Sequence, residues 1–325
     1  MTREKNETTL VAQIERTFGP AKAKALVVAL GDDAALWSPA SGYETILTCD
    51  WFLEDSHFLR HKHSPDAVGW KCLARAVSDI AAMGGMPRYF LLSLALPSVL
   101  TGEWLSSFLR GLRRASGRLD CEIAGGDITR QEKVLISITV LGEVRPRRAI
   151  LRSGARPGDL IFVSGTLGEA DLGLRQLGSI PGIAKAKHTF LRKHLYPQPR
   201  LELGQWLAKN RLATAMMDIS DGLSMDLPRL CAASRAGALI EPNSLPMTPF
   251  TEATDAQELA LHGGDDYELL FTVAARNAAR LPGNFHGLRL TQIGKITRKK
   301  EILLFTPGEK AKTLHPGGWD PFRKS

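Results

Sequence analysis

The spacing of apolar residues changes period several times along the chain. The segments "ETILTCD" (44–50), "RYFLLSLALP" (88–97), "VLISITVLGEV" (134–144), "LIFVSG" (160–165), "YELLFTV" (267–273) and "EILLF" (301–305) are short and rich in β-branched and aromatic residues, which predicts strands. Between the first two, the pattern lengthens to a helical stripe through Cys72, Ala76 and Met83. Ser64 is placed to cap that helix, Pro65 to open it and Gly84-Gly85 to stop it. Strands separated by helices predict a mixed α/β architecture. The basic stretch "VRPRRAILRSGARPGD" (144–159) carries Pro and Gly and marks a boundary, giving expected domains of 1–148 and 149–325.

Length agrees with that division, since 325 residues suit two domains better than one. With 44% hydrophobic and 23% charged residues, disordered and fibrous classes are excluded. No apolar run reaches membrane-spanning length, and "MTREKNETTL" has no hydrophobic stretch behind its charges, so a cytoplasmic protein without membrane association is expected. The four cysteines are scattered without a CxxC pair, which predicts reduced thiols. A net charge of +8 raises the question of nucleic acid. The cations are spread apart from "RPRR" (145–148) and "TRKK" (297–300), so solvated faces and an anionic substrate account for them, and no nucleic-acid partner is expected.

The acids raise a sharper question. In "MDISDGLSMDL" (217–227), Asp218 and Asp221 flank Ser220 and run into a glycine, while Asp226 reads as a surface position of the following helix. Asp32 and Asp33 follow Gly31, Asp50 ends "LTCD" with Thr48 on the same face, and Asp79 falls in the apolar register of its helix. The strand-like "CEIAGGD" ends in Gly125-Gly126-Asp127, where absent side chains would let a phosphate or metal approach. Singly, each acid reads as a turn former or cap. Together they would repel unless cations lay between them, and an oxygen-only donor set suits magnesium completed by substrate phosphates. No P-loop, protein-kinase set or GxGxxG accompanies them. His57, His61 and His63 form HxxxHxH, but no acid or cysteine completes a transition-metal set.

The motifs "GDDAAL", "LTCDWFLEDSHF", "AVSDIAAMGG", "AGGDITR", "LRSGARPGD", "MDISDGL" and "GGDDYELLFTV", in this order from about Gly31 to Trp319, resemble the thiamine-monophosphate kinase family of the aminoimidazole-ribonucleotide-synthetase-like superfamily. The resemblance implies an N-terminal α/β domain that pairs with its twin in a homodimer and a C-terminal α/β domain closing over the nucleotide. The implied reaction moves the γ-phosphoryl group of ATP to thiamine monophosphate, with several Mg2+ ions and K+ as a candidate monovalent aid. Carried over by motif, Asp32, Thr48, Cys49, Asp50, Asp79, Asp127, Asp218 and Asp221 fall at metal positions. Gly126, Asp127, Arg152 and Ser220 fall at ATP positions, and His57, Asp265 and Trp319 at substrate positions. Asp127, Asp218 and Arg152 are the implied catalytic set. Cys49 stands where threonine or serine is usual, Asp265 replaces the commoner glutamate, and Pro321 stands where histidine is frequent. A sister synthetase acting on another substrate and a non-catalytic basic binding module are the rival readings. For the sister selenium and hydrogenase-maturation enzymes, the resemblance asks for an N-terminal or a C-terminal cysteine, which "MTREKNETTL" and "DPFRKS" lack.

Overall fold

Residues 6–20, 25–30, 34–177, 189–249 and 253–323 are described by the computed structural model of the chain. They divide into two units, the first made of the described residues within 6–80 and 85–146, the second of 81–84 and the described residues within 147–323. The elements of the first are α1 (Glu7–Phe18), β1 (Leu26–Val28), β2 (Leu36–Trp37), β3 (Glu44–Leu53), α2 (Pro65–Ala82), β4 (Met86–Leu96), α3 (Glu103–Leu119), β5 (Glu122–Arg130) and β6 (Leu135–Val144). Helix α2 starts as the sequence predicts, because Ser64 Oγ accepts from the Ala67 amide at 3.3 Å.

The first unit's sheet runs β3-β6-β4-β5. β6 is antiparallel to both neighbours, while β4 and β5 are parallel, so α3 is a crossover helix. Alternation puts Ile46, Thr48, Asp50 and Phe52 on one face of β3 and Leu47, Cys49 and Trp51 on the other. The first face is packed: Ile46, Phe52, Phe90 and Leu92 are buried, as are Leu73, Val77 and Ile80 of α2 and Phe108 and Leu112 of α3. On the second face, Ala29 and Trp37 pack with Tyr89, Leu91 and Leu141, whereas Leu47 and Trp51 stay 67% and 57% exposed.

The second unit contains β7 (Leu160–Ser164), α4 (Glu169–Gln176), α5 (Thr189–Leu195), α6 (Leu201–Asn210), β8 (Ala213–Ile219), α7 (Leu223–Ser234), β9 (Gly237–Ile240), α8 (Ala253–His262), β10 (Glu268–Val273), β11 (Asn284–Phe285), β12 (Leu288–Thr297), β13 (Ile302–Leu304) and β14 (Lys312–Thr313). Its eight-stranded sheet has the order β14-β13-β9-β12-β7-β10-β8, with β11 paired to β12, and only β9 and β13 are parallel. One core holds Met217, Leu270 and Ile293 with Leu223, Leu227 and Leu230 of α7. The other holds Met216, Leu269 and Phe271 with Leu203 and Leu207 of α6. β10 is therefore covered on both faces, which is why it reads as a continuous apolar run. No helix among the described residues is long and apolar enough to cross a membrane.

Candidate functional site

In the first unit, the odd charge in the stripe of α2 has a partner. Thr48 Oγ1 donates to Asp79 Oδ2 at 2.5 Å, and Asp50 shares the Thr48 face one alternation further along β3. Cys49 lies on the opposite, exposed face, with its sulfur 3.4 Å from the hydroxyls of Ser137 and Thr139. Asp127 is placed differently from what the sequence suggests. β5 does not end at Asp127 but continues to Arg130, and Gly126 is required by the strand pairing itself. Its φ is +157°, and an added Cβ would lie 1.9 Å from the Leu92 carbonyl oxygen. A register shift between Phe90 and Leu91 accompanies it, so the glycines serve a bulge against β4.

β3 and β5 form the two edges of that sheet. Asp50 lies in one rung with Ile138, Leu92 and Gly126, so Asp127, paired with Ser93, points to the other face. Three strand spacings separate the acids, about 14 Å. Among the described residues, no three His, Cys, Asp or Glu side chains gather as a metal site. Asp32 and Asp33 lie outside the described residues. His57 Nδ1 accepts from the Leu53 amide and His63 Nδ1 is 3.1 Å from the Leu59 amide, so both rings are engaged with the local turn.

Within the second unit, two loops converge on the turn after β8. The Asp265 amide donates to the Ser220 carbonyl at 2.8 Å, and the Trp319 amide to the Asp221 carbonyl at 2.9 Å. Gly318 makes the second contact possible, since a Cβ there would sit 2.0 Å from the Asp221 carbonyl oxygen. The loop is further held by Ser224, whose buried hydroxyl accepts from the Gly317 amide and lies 2.8 Å from His262 Nδ1. Asp218 is buried at the end of β8, Ser220 and Asp221 are half-buried, and the Trp319 ring is 44% exposed. The structure thus gathers Asp218, Ser220, Asp221, Asp265 and Trp319. Arg152 is exposed and is tied to the same unit through its carbonyl, which accepts from Ser234.

Asp226 is a correction to the sequence reading. It is not a surface residue but has no accessible side-chain area, and its Oδ2 accepts from the amides of both Ser220 and Asp221 at 3.0 Å. It therefore shapes the turn that presents Asp221. Burial, reinforced by Asp221, pushes its pKa up to about 6, against the two amides and Arg229. The signal was present in the sequence, because Asp226 shares the inward register of Leu223, Leu227 and Leu230.

The "GGDDYELL" stretch also hides more polar structure than its pattern announces. Asp266 Oδ2 accepts from the Gly168 amide at 2.6 Å and its Oδ1 from the Ala170 amide at 3.2 Å, at the start of α4. Glu268, buried, takes Arg200 through both oxygens and Ser164 Oγ at 2.5 Å. These partners are distant in sequence, so no local pattern could reveal them. Asp265 alone of the three acids retains substantial exposure, 29%.

Residues 31–144 match the family "AIR synthase related protein, N-terminal domain", and residues 156–305 the corresponding C-terminal domain. The thiamine-monophosphate kinase of Escherichia coli K12 is 37% identical over 320 residues, covering 95% of this chain and 97% of that protein. The thiamine-monophosphate kinase of Stenotrophomonas maltophilia superposes with a TM-score of 0.81 at 33% identity, covering 91% of this chain and 95% of the other. AaThiL complexed with AMPPCP and TMP superposes with a TM-score of 0.76 at 34% identity, covering 96% of each chain. With both domain families matched in order and relatives of this identity spanning nearly its whole length, the chain belongs to the thiamine-monophosphate kinase family.

Proposed function

We propose that this protein transfers the γ-phosphoryl group of ATP to the phosphate of thiamine monophosphate, forming thiamine diphosphate. The observation that carries the proposal is the convergence of the Asp218–Asp221, Asp265 and Trp319 loops through two main-chain hydrogen bonds. It sets acids suited to a phosphate-bound cation beside a carboxylate and an aromatic ring suited to a cationic heterocycle.

The donors of each unit, taken separately, suit magnesium: the carboxylates of Asp218 and Asp221 in the second, and Asp50, Asp79 and the Thr48 hydroxyl in the first, offer oxygen only. Magnesium, when bound, supplies positive charge that offsets repulsion between the two polyanions and stabilises the transferring group. The chain's own residues do the rest. Because the acceptor is already an anion, no side chain needs to remove a proton. Arg152 offers a forked cation to phosphate oxygens. Asp265 accepts from donors of the substrate, Trp319 stacks on its ring, and His57 carries the same substrate assignment in the first unit. Gly126, Asp127 and Ser220 are assigned to ATP, with Asp127, Cys49 and Asp32 also in the metal set.

We assign the protein to the cytoplasm and to a homodimer built on the first unit. The open Leu47 and Trp51 face and the two open strand edges, β3 and β5, support that dimer. The test is incubation with ATP and thiamine monophosphate, followed by detection of thiamine diphosphate, with magnesium or a chelator and in sodium or potassium salts. Magnesium-dependent product is expected. ATP turnover without thiamine diphosphate, or turnover only with another acceptor, would favour a sister synthetase.

A further inference from the structure

We propose that Tyr267 is a positioning residue for the substrate, its buried phenol fixing the Asp265 carboxylate in the orientation that meets the acceptor. This rests on the reading of Asp265 as a substrate contact and adds the group that aims it. The Tyr267 hydroxyl donates to Asp265 Oδ1 at 2.7 Å, and the tyrosine is only 2% exposed. Asp265 Oδ2 lies 3.7 Å from Nδ1 of His194, itself buried on α5. A short acid that is partly open to solvent would ordinarily sample several rotamers. Here one oxygen is tied to the phenol and the other faces a buried imidazole.

The backbone supports a placement that is imposed rather than incidental. Asp265 and Tyr267 both adopt left-handed conformations, with φ of 66° and 51°, which residues bearing a Cβ rarely take. Such strain persists where surrounding contacts over-determine it. Those contacts are visible: the Asp265 amide is bound by Ser220, the Tyr267 amide by Ile219, Asp266 by the start of α4, and Glu268 by Arg200 and Ser164. The two neighbouring acids are thus consumed by buried partners, and the left-handed turn leaves Asp265 as the one that opens outward. An ionised carboxylate only accepts hydrogen bonds. A ligand group meeting it is therefore an N–H or O–H donor or a cation, as the amino-substituted, positively charged rings of thiamine monophosphate provide.

The test compares Tyr267→Phe, Asp265→Asn and the double variant in full-length protein. Tyr267→Phe keeps the buried ring and removes only the donor. It should raise KM for thiamine monophosphate about tenfold, the scale of one charge-assisted hydrogen bond, with KM for ATP and Tm unchanged and kcat falling less than twofold. Asp265→Asn should raise the same KM, and the double variant should be no worse than the more damaged single one, because both changes break one unit. If Asp265→Asn raises KM and Tyr267→Phe does not, the Tyr267 proposal fails while the Asp265 reading stands. If neither variant moves it, both fail. A lowered Tm with equal changes in both Michaelis constants, or additive effects, would make Tyr267 a folding residue and overturn the proposal.

Discussion

Arg229 and Asp226 form an ion pair across one turn of α7, 2.7 Å apart, in which the acid has no access to water and the base is partly exposed. The same guanidinium nitrogen lies 2.6 Å from Asp221. Arg229 therefore joins the residue that shapes the turn to the residue the turn presents. Replacing it by methionine leaves a buried carboxylate beside Asp221 with no cation, and should destabilise the protein by about 2–3 kcal/mol in urea unfolding. Adding Asp226→Asn should recover part of that loss, because the amide oxygen can still accept from Ser220 and Asp221. Equal stability of the single and double variants would contradict the pairing.

Asp266 gives a pH dependence with a defined sign. Burial, with a contribution from Glu268, pushes its carboxyl up to about 8, although the amides of Gly168 and Ala170 and the Lys193 cation favour the anion. Its value is raised, so between the ordinary 3.8 and about 8 the folded protein holds a proton that the unfolded chain has released. This group's stabilisation is complete below the lower value and is lost as pH rises through the upper one, by up to about 1.4 kcal/mol per pH unit. Denaturant titrations should show that slope, and Asp266→Asn should remove it. An unchanged slope in the variant would assign it to other groups.

Gly126→Ala tests the bulge between β4 and β5. The new methyl would meet the Leu92 carbonyl at 1.9 Å on a residue already at φ +157°. A loss of about 3 kcal/mol is expected, measured by thermal unfolding, with faster amide exchange in β5. A loss below about 0.5 kcal/mol, the scatter of ordinary surface substitutions, would mean that the strands part easily there.

The sequence disclosed the elements whose period was clean. β3, β4, β6, β7 and α2 fall where apolar spacing and the Ser64-Pro65 start place them. It did not place Trp319 beside the acids: the resemblance set Asp218 and Asp221 with the metals and Asp265 and Trp319 with the substrate, and only folding brings the Trp319 amide onto the Asp221 carbonyl. It misled wherever a polar residue sits inward. Asp226 read as surface because charge was weighed above its place in the stripe of α7. The close approach of the Leu92 carbonyl to Gly126 was not foreseen, because a pairing partner's backbone leaves no trace in local sequence. Tyr267 read as the first residue of a strand, yet it lies in the left-handed turn before β10, held by the Ile219 carbonyl. Arg200 and Glu268, 68 positions apart, had no pattern that could announce their pairing.

The open face of β3 makes the proposed dimer testable apart from catalysis. Trp51→Glu puts a charge on a residue 57% exposed, at no cost to the packed face of the sheet. If two copies meet there, sedimentation should show a shift from dimer to monomer, since an unpaired carboxylate in an apolar contact is strongly unfavourable. A variant that remains dimeric would place the contact elsewhere.

Asp50 and Asp127 stand on opposite edges and opposite faces of one four-stranded sheet. Side chains so placed cannot grip the same ion within a single chain, so any centre that uses both must draw one from each of two polypeptides. The consequence is genetic as well as structural. On the proposed dimer and the proposed metal roles of both acids, a strain carrying only an Asp50→Asn copy and a strain carrying only an Asp127→Asn copy would each be deficient, yet a cell making both chains would assemble some mixed pairs in which one centre is intact. Complementation between those two alleles would then follow from the strand order of a single sheet.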